Sequence, residues 1–300
     1  MSQYKPTTTG KVSFGEWETA YEVYGTLPAA PGKVPLIGLH GGPGMPGRYL
    51  RPLSVLVEAH GIPVILYDQI GCGDSTHLPE KGGDFWTVEL FLKELENLLE
   101  KLEIKEYDLL GTSWGAILAA EHALLHPHGL RKLILSNGLT SMKMWEDSVI
   151  SLLKTMPQDV QDTIEKHEKE RNYNAPEYRA ACKVFYDAHL CRIIPTPPEL
   201  VEAYTLMMDD PTVSYIMSGP SEFHSLGTLK TWNIISRLGE ITTPTLVLNG
   251  KYDMTSDTVV KPFLDGIKGS KWVRFEHSSH APMLEEREKY AEVVGEFLTE

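Results

Sequence analysis

The segment Gly111-Thr-Ser-Trp-Gly115 constrains this chain more than any other stretch. It lies between an apolar run, Tyr107 to Leu110, and a helical stretch, Trp114 to His126, which Pro127 stops. A serine at so sharp a strand-to-helix turn has a strained backbone and an exposed hydroxyl. Glycines two residues to either side let strand and helix approach closely. The helix that follows also points its positive N-terminal end at any negative charge developing on a bound carbonyl. Ser113 is therefore the expected nucleophile.

The rest of the chain fits a mostly parallel sheet covered on both faces, because short apolar runs alternate with helical stretches. The expected strands are Glu18 to Tyr24, Pro35 to Leu39, Val64 to Tyr67, Tyr107 to Leu110, Lys132 to Ser136, Thr245 to Leu248 and Lys271 to Phe275. Thr87 to Glu103 repeats Leu and Phe at helical spacing and reads as an amphipathic helix. After Leu139 the rhythm changes to helix-like stretches rich in aromatics, Met and Pro, and strands resume only after Trp232. This predicts a core of residues 1–139 and 233–300 with a helical cap, residues 140–232.

Composition narrows the function. A net charge of -13 argues against nucleic-acid binding, which needs clustered Lys and Arg. Cys72, Cys182 and Cys191 form no CxxC pair and no even framework, as in a protein with reduced thiols. The N-terminus has no apolar signal-like run, and no stretch approaches the ~20 apolar residues of a membrane span. These features predict a cytoplasmic protein without membrane or nucleic-acid partners. No spacing of His, Cys or Asp implies a metal, and no G-x-G-x-x-G follows a strand, so no cofactor is expected.

A serine hydroxyl needs a histidine to remove its proton, and that imidazole needs a carboxylate on its other nitrogen. In a serine-elbow fold the order is Ser, acid, His. Asp253 follows the strand Thr245 to Leu248, and His277 and His280 follow Lys271 to Phe275. His280, in the loop rather than at the strand end, is the favoured base. Asp253 is favoured over Asp257, whose Thr-Ser-Asp-Thr setting resembles a helix N-cap. His40-Gly41-Gly42-Pro43-Gly44 follows another strand and exposes backbone N–H groups. Gly42 and Trp114 are the expected pair of oxyanion donors, and His40 is expected to brace the loop. Together these elements describe an α/β-hydrolase fold.

Three motifs, His40-Gly-Gly-Pro-Gly44, Asp68-Gln-Ile-Gly-Cys-Gly-Asp-Ser75 and Gly111-Thr-Ser-Trp-Gly115, resemble the proline iminopeptidase family of α/β-hydrolases, as does Ser218 to Trp232. The resemblance runs from about Tyr21 to the C-terminus. It implies removal of an N-terminal residue, often proline, from short peptides, without metal or cofactor, by a triad matching Ser113, Asp253 and His280. It also implies recognition of the substrate's amino group by carboxylates. One matches Glu222. The other often follows the catalytic aspartate directly, where this chain has Met254. A second departure is Ile70, where the family usually has arginine.

The predicted chemistry is an acyl-enzyme hydrolysis of a small amide or peptide with a free N-terminus. The nearest rival uses the same machinery on another small ester, amide or lactone of specialised metabolism. A non-catalytic ligand-binding protein is the rival from another class, although all three triad positions are filled. Epoxide and haloalkane hydrolysis call for a carboxylate at the elbow, where this chain has serine. Trp145, Tyr204, Met207, Met208, Tyr215 and Phe223 could line an apolar pocket or form cap core. Asp209 and Asp210 are candidates to replace the carboxylate missing at Met254.

Overall fold

In the computed structural model, which describes residues 4–300, eight strands form one sheet. They are β1 Thr8–Phe14, β2 Trp17–Tyr24, β3 Leu36–Leu39, β4 Val64–Asp68, β5 Tyr107–Thr112, β6 Leu130–Ser136, β7 Thr245–Gly250 and β8 Lys271–Phe275. Their order is β1-β2-β4-β3-β5-β6-β7-β8. The β1–β2 and β2–β4 pairs are antiparallel, and all others are parallel. Every residue of β3, β4, β5 and β7 is buried. That follows from helices on both faces, and it explains why these strands read as apolar runs rather than alternating ones. The sequence reading misses β1. As an edge strand with mostly exposed residues, Thr8–Phe14 has no apolar run to betray it.

The helices are α1 Val55–His60, α2 Val88–Lys101, α3 Trp114–Leu124, α4 Met142–Leu153, α5 Gln158–Glu170, α6 Pro176–His189, α7 Pro198–Asp209, α8 Thr212–Met217, α9 Asp257–Gly266, α10 Pro282–Glu285 and α11 Arg287–Thr299. No helix among the described residues is long and apolar enough to cross a membrane. Three of them, α6, α7 and α10, begin with proline, whose missing N–H costs nothing in a first turn. The Thr87 hydroxyl caps α2 by accepting from the Leu90 N–H, 3.2 Å. The Thr-Ser-Asp-Thr cluster does begin a helix: Ser256 holds the cap position and Asp257 is the first residue of α9.

The chain leaves the sheet after β6 and returns at β7, building α4 to α8 on the way. Its exit and return lie side by side: the Met142 N–H donates to the Trp232 carbonyl (3.1 Å) and the Ile234 N–H to that of Thr140 (3.0 Å). Inside, Val149, Ile164, Phe185 and Phe223 form an apolar cluster with Met254, which comes from the loop after β7. The excursion also meets the core through Asp210 on His77 (2.5 Å) and Glu202 beside Arg48 (3.7 Å).

The switch in strand order sits at β3, which has β4 on one side and β5 on the other. Open sheets of this kind place ligands at the carboxyl ends of the strands flanking such a switch. There the loop after β4 is anchored by a buried glutamate, Glu94 of α2, which accepts from the Thr19 hydroxyl (2.5 Å) and the Ile70 N–H (2.9 Å). Burial, only partly offset by those bonds, pushes the Glu94 carboxyl up to about 8. The folded chain thus keeps a proton that the unfolded chain releases between the ordinary carboxylate range and about 8, so stability falls as pH rises through that window. Glu94→Gln should flatten this part of the dependence. Thermal melts of both proteins from about pH 5 to about pH 8 test it, and parallel slopes would refute it.

Candidate active site

Ser113 occupies the turn between β5 and α3 with φ 54° and ψ -118°, a region that non-glycine residues seldom enter. Its neighbours explain how it is held there. A Cβ on Gly111 would stand 2.0 Å from the Gly115 carbonyl oxygen, and one on Gly115 would stand 2.2 Å from that of Leu39. Only glycine permits β3, β5 and α3 to converge so closely. The Ser113 N–H donates to the Ser136 carbonyl (3.0 Å), tying the turn to β6.

Two loops meet beside this turn. The Asp253 loop after β7 and the His280 loop after β8 are joined through the Tyr252 N–H and the Ser278 carbonyl, 3.0 Å. His280 Nδ1 donates to Asp253 Oδ1 at 2.6 Å, which leaves Nε2 as the acceptor nitrogen of the neutral ring. Asp253 is buried, and its oxygens also accept from the Thr255 N–H (2.8 Å) and from Asn137 Nδ2 (2.5 Å). Asn137 is a residue the sequence reading missed. Its amide is oriented by a chain of hydroxyls, Tyr290 to Ser136 at 3.0 Å and Ser136 to Asn137 Oδ1 at 2.7 Å. The signal was present: an Asn directly after an apolar strand, here with φ 53°, a conformation Asn tolerates. The histidine loop is fastened from α10 and its C-terminal flank. Glu285 accepts from the Ser279 N–H (2.7 Å) and Glu286 from the Ser278 hydroxyl (2.7 Å). His277, the other candidate base, is exposed and lies outside the cavity that holds Ser113 and His280.

The loop after β3 forms another wall. Gly42 has φ 111°, and a Cβ there would stand 2.7 Å from the Met45 nitrogen, so this position requires glycine. The Gly41 N–H is already engaged by the Tyr49 hydroxyl at 2.6 Å. Trp114 is the first residue of α3, where a backbone N–H has no acceptor within the helix. The buried His40 braces this wall: its Nε2 accepts from the Gln69 N–H (3.0 Å) and its Nδ1 lies 3.0 Å from the Gly41 carbonyl. Burial pulls the His40 pKa below the ordinary histidine value, in keeping with a neutral bracing ring.

Ser113, Gly42, Trp114 and His280 line one cavity of about 130 Å³, roofed by the excursion. Trp145, Tyr204 and Met207 also line it, whereas Met208, Tyr215 and Phe223 do not. Tyr186, Met142 and Tyr49 complete much of the apolar wall and escaped the sequence reading, since nothing in their local spacing marks them. Glu222 is the one carboxylate among the described lining residues, and it makes no ion pair or hydrogen bond there. Burial pushes its pKa up, while the charge of His280 pulls it back. Met254 lines the same cavity and is buried. Neither aspartate considered as a substitute reaches it: Asp209 is exposed, and Asp210 is turned onto His77 and Thr212. Burial alone would lower the His280 pKa. The charge and hydrogen bond of Asp253, helped by Glu222 and Glu285, outweigh that effect and raise it above 6.5. An arrangement of hydroxyl, imidazole and buried carboxylate with two nearby backbone donors can carry out acyl transfer.

Comparison with known proteins gives the family and the fold. The family model described as alpha/beta hydrolase fold matches residues 34–287. The crystal structure of VinJ is 46% identical, covers 98% of this chain and 99% of that one, and superposes with a TM-score of 0.95. The crystal structure of a proline iminopeptidase from Mycobacterium smegmatis is 39% identical, with 97% of each chain covered and a TM-score of 0.91. A proline iminopeptidase of Lactobacillus delbrueckii subsp. lactis is 33% identical over 287 residues, 95% of this chain and 96% of the relative.

With His280 as the candidate base, its raised pKa has a kinetic consequence, because only a neutral imidazole can accept a proton. The acid limb of kcat/KM for a simple ester is expected above pH 6.5, with activity lost as pH falls through it. Removing the charge of Glu222 in Glu222→Gln should move that limb down. A limb at the same pH in both proteins would contradict the electrostatic coupling.

Proposed function

Because the chain belongs to the proline iminopeptidase family of α/β-hydrolases, we propose that it is a serine hydrolase cleaving small amides or peptides with a free N-terminus. The observation that carries this reading is the unpaired Glu222 carboxylate in the same cavity as Ser113 and His280. A half-buried carboxylate that faces a mostly apolar pocket without a partner is costly, and a substrate ammonium is the partner that offsets the cost. Residues 140–232 act on this reading as a cap that supplies Glu222 and excludes water.

The steps follow from the groups in place. Ser113 Oγ attacks the carbonyl carbon while His280 Nε2 takes its proton, and Asp253 holds the Nδ1–H and stabilises the imidazolium. The Gly42 and Trp114 N–H groups hold the oxyanion. His280 then protonates the leaving amine, the C–N bond breaks, and the acyl-enzyme remains. Water, deprotonated by the same histidine, releases the acid and restores Ser113. No metal or cofactor is called for.

A second reading keeps this machinery and exchanges the substrate for another small ester, amide or lactone. Met254 favours it, since an apolar side chain stands where the family's second amine carboxylate is expected and packs with the cap. Turnover of prolyl-p-nitroanilide separates the two. On the aminopeptidase reading the substrate is cleaved, and Glu222→Ala lowers kcat/KM by about a hundredfold. An enzyme that labels at Ser113 with a fluorophosphonate yet ignores the anilide, and prefers N-blocked amides or esters, would establish the second reading.

A further inference from the structure

Glu222 lies in a short connection after α8, between Ser221 and Phe223, with no regular structure to aim it. Both neighbours are nevertheless fixed. Phe223 is buried and packs edge-on against Phe185, with ring centroids 5.2 Å apart. The Ser221 hydroxyl donates to Glu168 Oε1 (2.7 Å) and accepts from the N–H groups of Phe223 (2.9 Å) and His224 (3.1 Å). The Ser221 hydroxyl thus closes a turn around Glu222, and Glu168 holds the hydroxyl that closes it.

Glu168 is itself over-determined. It sits near the end of α5, its side chain is 6% exposed, and its Oε1 also accepts from the Tyr178 hydroxyl of α6. Its Oε2 stands 3.1 Å from His224 Nδ1. A nearly buried carboxylate that joins two cap helices to one turn has restricted freedom, and so has the turn. Glu168 is absent from the cavity lining, whereas Ser221, whose hydroxyl it holds, belongs to it.

We infer that Glu168 is a positioning residue for amine recognition: through the Ser221 hydroxyl it holds the turn that directs the Glu222 carboxylate into the cavity beside Ser113. This rests on Glu222 being the amine anchor proposed above. The specificity for a free N-terminus is then set partly from α5, outside the pocket.

The test compares Glu168→Leu, Glu168→Gln, Ser221→Ala and Glu222→Gln on prolyl-p-nitroanilide, whose amine needs Glu222, and on p-nitrophenyl acetate, which has no amine. Glu168→Leu should raise KM for the anilide about tenfold, with a smaller change in kcat, while ester hydrolysis stays within about twofold of wild type. Glu168→Gln should restore most of the loss, since its carbonyl oxygen still accepts from Ser221 and Tyr178. Ser221→Ala should repeat the KM effect with less disturbance of the cap, and it decides the matter should Glu168→Leu fail to fold. An unchanged KM in Ser221→Ala, or equal losses on both substrates in Glu168→Leu, overturns the inference. So does a Glu168→Gln enzyme as impaired as Glu168→Leu. Glu222→Gln separates the two levels. If it keeps the amine preference, the anchor reading falls and this inference with it. If it loses the preference while the Glu168 and Ser221 variants keep theirs, the inference alone falls.

Discussion

The backbone of Ser113 is the constraint on which the rest of the structure depends. A non-glycine residue at φ 54° costs about 1–3 kcal/mol and persists only where its surroundings allow no alternative. Here Gly115 lies against the β3 backbone, Gly111 lies against Gly115, and the Ser113 N–H is taken by β6. Three adjacent parallel strands and one helix therefore close on a single residue. The requirement for close backbone approach places β3 next to β5, and with it the Gly41-Gly42 loop next to the serine. Sheet order and site geometry are consequences of the same packing.

A second dependence runs through the polar interior. From Tyr290 of α11 a chain of hydrogen bonds passes through Ser136 and Asn137 to Asp253 and ends at His280. The imidazole tautomer is thus determined by groups from β6, α11 and the loop after β7. Every link is buried except the last, so each donor must find its acceptor within the protein. Glu285 and Glu286 reinforce the outcome by holding the loop that carries His280. The histidine faces the cavity with one nitrogen committed and the other free to accept.

What the sequence displays of this follows from how local each signal is. Ser113, the glycines beside it and the buried strands are legible because the turn and the period of burial are written in consecutive residues. Asp253 and His280 are legible through chain order and the ends of strands. The edge strand β1 is not, since only Val12 and Phe14 turn apolar side chains to the core and the rest of the strand is mostly polar and exposed. Nor is Asn137, which matters through a contact with a residue 116 positions away. Most of the cavity wall is illegible for the same reason. Tyr186 and Met142 come from α6 and α4, and only the folding of the cap over the sheet turns both toward Ser113. Met254 could be noticed as a departure, but its packing with Val149, Ile164 and Phe223 is a tertiary fact.

That packing bears on how one carboxylate could serve as the whole amine site. Met254 stands next to the proposed catalytic acid and closes the seam between sheet and cap, so the position contributes apolar contact where a charge would have to be desolvated. A protonated N-terminal amine carries three N–H donors, or two where the first residue is proline. With a single carboxylate in the cavity, a bound amine completes its hydrogen bonding with neutral oxygens, and the lining offers the hydroxyls of Ser218, Ser225 and Tyr186. The Ser225 hydroxyl is buried and has no partner in the protein. A site with one charge instead of two relies more on the direction of that charge, because misalignment cannot be made good by a second ion pair. This gives physical weight to the Ser221 turn: the fewer charges a pocket uses, the more tightly each must be aimed.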